Sequence, residues 1–125
     1  MMGWTGGARA VRKMRQRVRE IIKRELGDAK AKTEKSWYWG NVGPAVRSAA
    51  EGAWAVVESI PPADDPVADL RSLALALQER RAAVRTSLFD EDGYGLATYH
   101  MIIRDVLALY RAAGGSDLSD ETDED

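Results

Sequence analysis

Residues 66–89 read PVADLRSLALALQERRAAVRTSLF, and this stretch decides the fold class. An Asp followed by a proline, as in Asp65 and Pro66, is typical of a helix start. The apolar residues that follow recur at three- and four-residue steps, which places their side chains on one face of an α-helix. They are Val67, Leu70, Leu73, Ala74, Leu77, Val84 and Leu88. We therefore expect a long helix that buries one side.

Two further helices flank this one. Residues 44–60 begin with a proline, carry an apolar stripe that includes Trp54 as an expected core residue, and end at a proline pair. Residues 95–113 repeat the helical spacing and end at a glycine pair. No stretch alternates apolar and polar residues between hairpin turns. The expected fold is all-α, a small bundle of three core helices near 44–60, 66–89 and 95–113.

A basic N-terminal helix is predicted at residues 8–26, ahead of the three core helices. Its apolar stripe runs from Val11 to Leu26, and Gly27 fits a left-handed helix stop. Only one acid, Glu20, lies among the cations that cover the remaining surface. These predicted partner-binding cations are Arg9, Arg12, Lys13, Arg15, Arg17, Arg19, Lys23 and Arg24.

The charge of the chain changes sign from one end to the other. Residues 1–35 hold eleven Lys or Arg and four Asp or Glu, a net charge of +7. Residues 36–115 hold seven and ten, a net charge of −3, and residues 116–125 hold six acids and no base. Ends of opposite charge favour contact with a charged partner or with each other.

Composition and charge together divide the chain into four segments. The glycine-rich start is expected to be flexible and the acidic end to be disordered, since neither has the apolar content to fold alone. The predicted segments are a flexible N-terminus at 1–7, a basic helical arm at 8–36, the helical bundle at 37–115 and an acidic disordered tail at 116–125.

Three neighbouring aromatic residues, Trp37, Tyr38 and Trp39, precede two glycines in a predicted loop. With Lys32 and Lys35 just before them, these rings have the chemistry to stack on nucleobases or to form a hot spot in a protein interface. In a small protein with few aromatic residues, the simpler interpretation is that they cap one end of the core. We include them among the predicted partner-binding residues.

The residue composition excludes several kinds of site. The chain has 125 residues, no Cys and one His, which excludes disulfide scaffolds, thiolate metal sites and cysteine catalysis. The acidic turn before Gly93 lacks carboxylates at the spacing that a calcium loop requires. His100 has no nucleophile placed to act with it, and Arg104 on the same face opposes its protonated form. We predict no catalytic residue, no metal and no cofactor.

These features favour a non-enzymatic helical interaction or assembly protein. Its basic helix would dock on an acidic partner surface or on another copy of the chain, with the tail at 116–125 as one candidate in trans. A small virion or connector-type component fits this layout. The alternative is a nucleic-acid-binding protein that uses the basic helix and the Trp37–Trp39 loop, and a small enzyme is a third, less favoured class. Without a membrane span or a secretory signal in view, we expect a cytoplasmic protein or a virion protein.

Overall fold

The structure is a computed structural model that describes residues 2–34, 42–85 and 94–118. No strand occurs within these ranges. Four helices pack as a bundle, so the all-α fold predicted from the sequence is confirmed. They are α1 (Met2–Glu34), α2 (Val42–Ser59), α3 (Pro66–Arg85) and α4 (Tyr94–Ala112).

The first helix differs most from its prediction. It was expected at residues 8–26, but α1 includes the glycine-rich residues 2–7 and continues through Gly27 to Glu34. A glycine inside a helix costs about 1 kcal/mol relative to alanine. The helix continues because its inner side still packs beyond that point, where Ala29 is buried together with Val46 of α2.

The first helix is also a full member of the bundle. Val11, Val18 and Ile22 of α1 are buried. α1 packs most extensively on α2 and also contacts α3 and α4, while α3 packs most extensively on α4. The basic residues of α1 are therefore carried by a helix whose other side belongs to the core.

The core contains side chains from every helix. Trp54, predicted to lie in the core, is only partly buried and packs against its edge. The buried members of the core are Val18, Ile22, Ala49, Ala50, Ala53, Val57, Leu70, Leu73, Ala74, Leu77, Tyr99, Ile102, Ile103, Val106, Leu107 and Tyr110.

Two helix ends form as the sequence predicts. The Oδ1 atom of Asp65 accepts a hydrogen bond of 2.9 Å from the backbone N–H of Ala68, which caps α3. At the end of α4, Gly114 has a φ of 113°. The N–H of Gly115 bonds the carbonyl of Tyr110 at 2.9 Å, and the N–H of Gly114 bonds the carbonyl of Arg111 at 3.0 Å. This pairing is a Schellman motif, which turns the chain back towards the bundle.

Candidate functional site

Arg15, one of the predicted partner-binding residues, is buried inside the bundle with only 4% of its surface exposed. Its Nε and Nη2 atoms each donate a hydrogen bond of 2.8 Å to the carboxylate of Asp69. Its Nη1 atom donates to the carbonyl oxygens of Val57 at 3.1 Å and Ile60 at 2.7 Å. Arg15 therefore neutralises an internal carboxylate and caps the end of α2, and it is removed from the surface that the sequence predicts.

Asp69 is fully buried in the first turn of α3. Besides the two bonds from Arg15, its Oδ1 atom accepts a hydrogen bond of 3.0 Å from the backbone N–H of Ala63. The N-terminal end of a helix also favours a negative charge. This network joins α1, the end of α2, the α2–α3 connection and α3, so it fixes how α1 sits in the bundle.

Two further arginines of α1 form ion pairs at the edges of the helix. The Nη2 atom of Arg19 lies 3.0 Å from Oε2 of Glu58 in α2. The Nη2 atom of Arg24 lies 2.6 Å from Oδ2 of Asp105 in α4. Both pairs are partly exposed, and such pairs contribute about 0–1 kcal/mol. They flank α1 on its two sides and leave the middle of its outer surface open.

The remaining cations in the first half of α1 form what we call the cationic face, namely Arg9, Arg12, Lys13 and Arg17. All four are exposed. None of them pairs with a carboxylate among the residues that the structure describes. At about 1.5 Å of rise per residue, they fall within about 12 Å along the helix axis. The cationic face is a compact patch of positive charge on a rigid support.

An open cleft lies further along α1, between it and α2. Lys23, Leu26, Glu51 and Trp54 line this cleft, which has a volume of about 310 Å³, and we call it the Trp54 cleft. The ammonium group of Lys23 lies 5.9 Å from the centre of the Trp54 ring, within the range of a cation–π contact. Glu51 pairs with Arg47 at 3.2 Å. Of the two charged residues that line the cleft, Glu51 is thus paired, whereas Lys23 has no carboxylate partner in the described part of the chain.

The start of the acidic segment binds to α3 and α4. Nε of Arg71 donates a hydrogen bond of 2.8 Å to Oδ2 of Asp117, and the hydroxyl of Tyr110 donates to its Oδ1. The hydrogen bond from Tyr110, followed by that from Arg71, lowers the pKa of Asp117. The same bonds to Asp117 raise the pKa of Tyr110 and of Arg71. Leu118 packs against the core, so this part of the predicted tail is held by its own molecule.

Several predicted features lie outside the described residues. They are the aromatic residues Trp37, Tyr38 and Trp39, the acidic turn before Gly93, and the tail from residue 119 onwards. Predictions about them stay predictions. Within the described ranges, no cluster of three or more His, Cys, Asp or Glu side chains is placed to hold a metal ion. Likewise, no described helix combines the length and the apolar character that crossing a membrane requires.

The cationic face and the Trp54 cleft are therefore two surface features of α1 with the chemistry to bind a partner. Sequence reasoning found the cations of the face but not the cleft, because the cleft depends on how α1 and α2 pack. Comparison of the chain with protein-family models, with curated proteins and with solved structures finds no match.

Proposed function

We propose that this protein is a non-enzymatic interaction module whose cationic face binds an acidic protein surface. The observation that carries the proposal is the cationic face itself, four exposed cations on one helix without carboxylate partners in the described chain. The acidic surface belongs to another protein or to another copy of this chain. A component of a larger assembly, such as a virion or a connector, is one class of protein that would use such a module.

The rigidity of α1 supports this proposal. The hydrogen bonds of Arg15 to Asp69, Val57 and Ile60 hold α1 to two other elements of the bundle. The rotation of α1, and with it the direction of the cationic face, is thereby set before any partner arrives. A partner then does not have to order the helix, which lowers the entropic cost of binding.

The charges around the cationic face favour an acidic protein over a nucleic acid. Glu58 and Asp105 flank α1 on its two sides, and Glu20 lies on its outer surface. The chain as a whole carries a net charge of −2. A narrow positive strip of this kind matches the carboxylates of a single acidic helix or strand.

The proposal is tested by removing the charge of the cationic face. One variant of the full chain replaces its four cations with Gln, and a matched control replaces four other exposed cations. These controls are Lys30, Arg80, Arg104 and Arg111. Binding of fluorescent polyglutamate at low salt should fall about tenfold or more in the face variant and stay near the wild-type value in the control. Wild-type affinity should also fall as salt is added, because salt screens exposed charges.

The outcome of this test and two further measurements distinguish the partner classes. Equal binding of polyglutamate by the face variant and the control would contradict the proposal. Tight binding of single-stranded or duplex oligonucleotides without binding of polyglutamate would replace it with the nucleic-acid alternative. Light scattering of the full chain that rises with protein concentration at low salt, and is lost in the face variant, would identify another copy as the partner.

A further inference from the structure

We propose that the Trp54 cleft is an anchor site for one apolar side chain of the acidic partner. Recognition would then combine the charge of the cationic face with the shape of an apolar cleft between α1 and α2. This inference rests on the proposed function, because the anchored side chain belongs to the segment that the cationic face attracts. It adds a specificity that charge alone does not provide.

The chemistry of the cleft fits a single large apolar side chain. Trp54 and Leu26 pack against the core on one side and line the cleft on the other. The volume of about 310 Å³ is at the lower end of the roughly 300–1,000 Å³ that is typical of ligand pockets. Within the described residues, the indole N–H of Trp54 donates no hydrogen bond.

The charges at the rim of the cleft select an acidic segment. Glu51 is already paired with Arg47, whereas Lys23 has no carboxylate partner in the described chain. A neutral apolar segment would cover the ammonium group of Lys23 and displace its bound water without offering another hydrogen-bond acceptor. Removing water from a charge in this way is unfavourable. A carboxylate next to the anchored side chain would form an ion pair with Lys23. Lys23 also lies six residues beyond Arg17, or about 9 Å along the axis, so one short segment can reach both features.

We take the segment to belong to another protein, because the acidic tail of a second copy is already bound to its own molecule. The only apolar residue among residues 116–125 is Leu118. Leu118 packs against the core of its own molecule, and Asp117 beside it is bound by Arg71 and Tyr110. A second copy would have to break these contacts before its tail could enter the cleft. A foreign acidic segment has no such cost.

The test compares acidic peptides that differ only in the anchor. A fluorescein-labelled peptide of Asp, Glu and Ser with one central Phe is titrated with the full chain, beside the same peptide with Ala at its centre. Burying the aromatic side chain should make the Phe peptide bind about tenfold tighter or more. The indole N–H resonance of Trp54, assigned with W54F, should move with the Phe peptide and not with the Ala peptide.

A matched pair of variants tests the rim charge. Lys23 and Lys30 are both exposed lysines of α1, but only Lys23 lines the cleft. K23E should weaken binding of the Phe peptide clearly more than K30E does. Circular dichroism of both variants checks that the helix content is unchanged.

The outcomes separate this inference from the proposed function. Equal binding of the Phe and Ala peptides, with both lost in the variant of the cationic face, would overturn the anchor site and leave the proposed function standing. Failure of both peptides to bind would overturn both. Binding of the Phe peptide without movement of the Trp54 resonance would also overturn the anchor site. A synthetic peptide of residues 116–125 that binds as tightly as the Phe peptide would assign the cleft to a second copy.

Discussion

The two sides of α1 use the same residue type for opposite purposes. On the inner side, the guanidinium of Arg15 makes four hydrogen bonds and neutralises the buried Asp69. On the outer side, Arg12 and Arg17 make no ion pair with any described carboxylate. The difference follows from helix position, since Arg15 lies four residues after Val11 and three before Val18, both buried. The arginine in the apolar stripe is thus structural, whereas Arg12 and Arg17 on the opposite side keep exposed guanidinium groups that a partner can reach.

The largest effect is expected from breaking the inner side. D69A leaves the charge of Arg15 buried without its carboxylate, which destabilises the fold by about 3–5 kcal/mol. Urea denaturation followed by circular dichroism measures this change. Exchanging both partners for apolar residues, as R15M with D69L, should recover part of the lost stability, because no charge is left buried but the carbonyl of Ile60 and the N–H of Ala63 lose their partners. If D69A alone were as stable as the wild type, the Arg15 network would not be what holds α1 in place.

A much smaller effect is expected at the edge of α1. R24Q removes the exposed pair with Asp105 and should lower the free energy of unfolding by about 1 kcal/mol or less. The same urea denaturation measures it, and the loss should diminish further as salt is added. A loss as large as that of D69A would mean that exposed and buried arginines of this helix do not differ in the way described.

The smallest effect is expected at the exposed carboxylate of Asp117. Its pKa is lowered by Tyr110 and Arg71 from the ordinary value of 3.8. The ionised carboxylate, with its bonds to Tyr110 and Arg71, is therefore favoured above the ordinary pKa. The stability that these bonds give the folded protein is lost as the pH falls through the lowered pKa of Asp117. The protection factor of the Gly115 amide in hydrogen exchange, corrected for the intrinsic rate at each pH, should fall on acidification, while the protection factors in α1 and α2 stay unchanged. D117N should remove this pH dependence, and a wild-type exchange pattern that does not change with acid would contradict it.

Much of the fold could be predicted because it depends on local signals. Helical spacing marked the apolar stripes, Asp65 and Pro66 marked the start of α3, and Gly114 marked the end of α4. The stop predicted at Gly27 is wrong because a local signal was outweighed by packing, as Ala29 and Val46 continue the contact between α1 and α2.

The candidate site was predictable only in part. The sequence identified the cations of the cationic face. Whether each of them has a carboxylate partner depends on which acidic side chains the fold brings near. For Asp69, the sequence held a signal that the prediction did not use. Asp69 lies in the first turn of α3, one residue before the buried Leu70. The Trp54 cleft gave no sequence signal, since Trp54 at helical spacing predicts a core residue. Its partial exposure arises from the packing of α1 on α2.

The Arg15–Asp69 contact also has a consequence for the order of events during synthesis. Its two partners are 54 residues apart in the chain. At a ribosomal rate of about 5–20 residues per second, Arg15 is made roughly 3–11 s before Asp69. During that interval the nascent α1 has a bare apolar stripe and an arginine without its carboxylate. The cations that cover its other side repel those of neighbouring copies, which opposes association through the bare stripe.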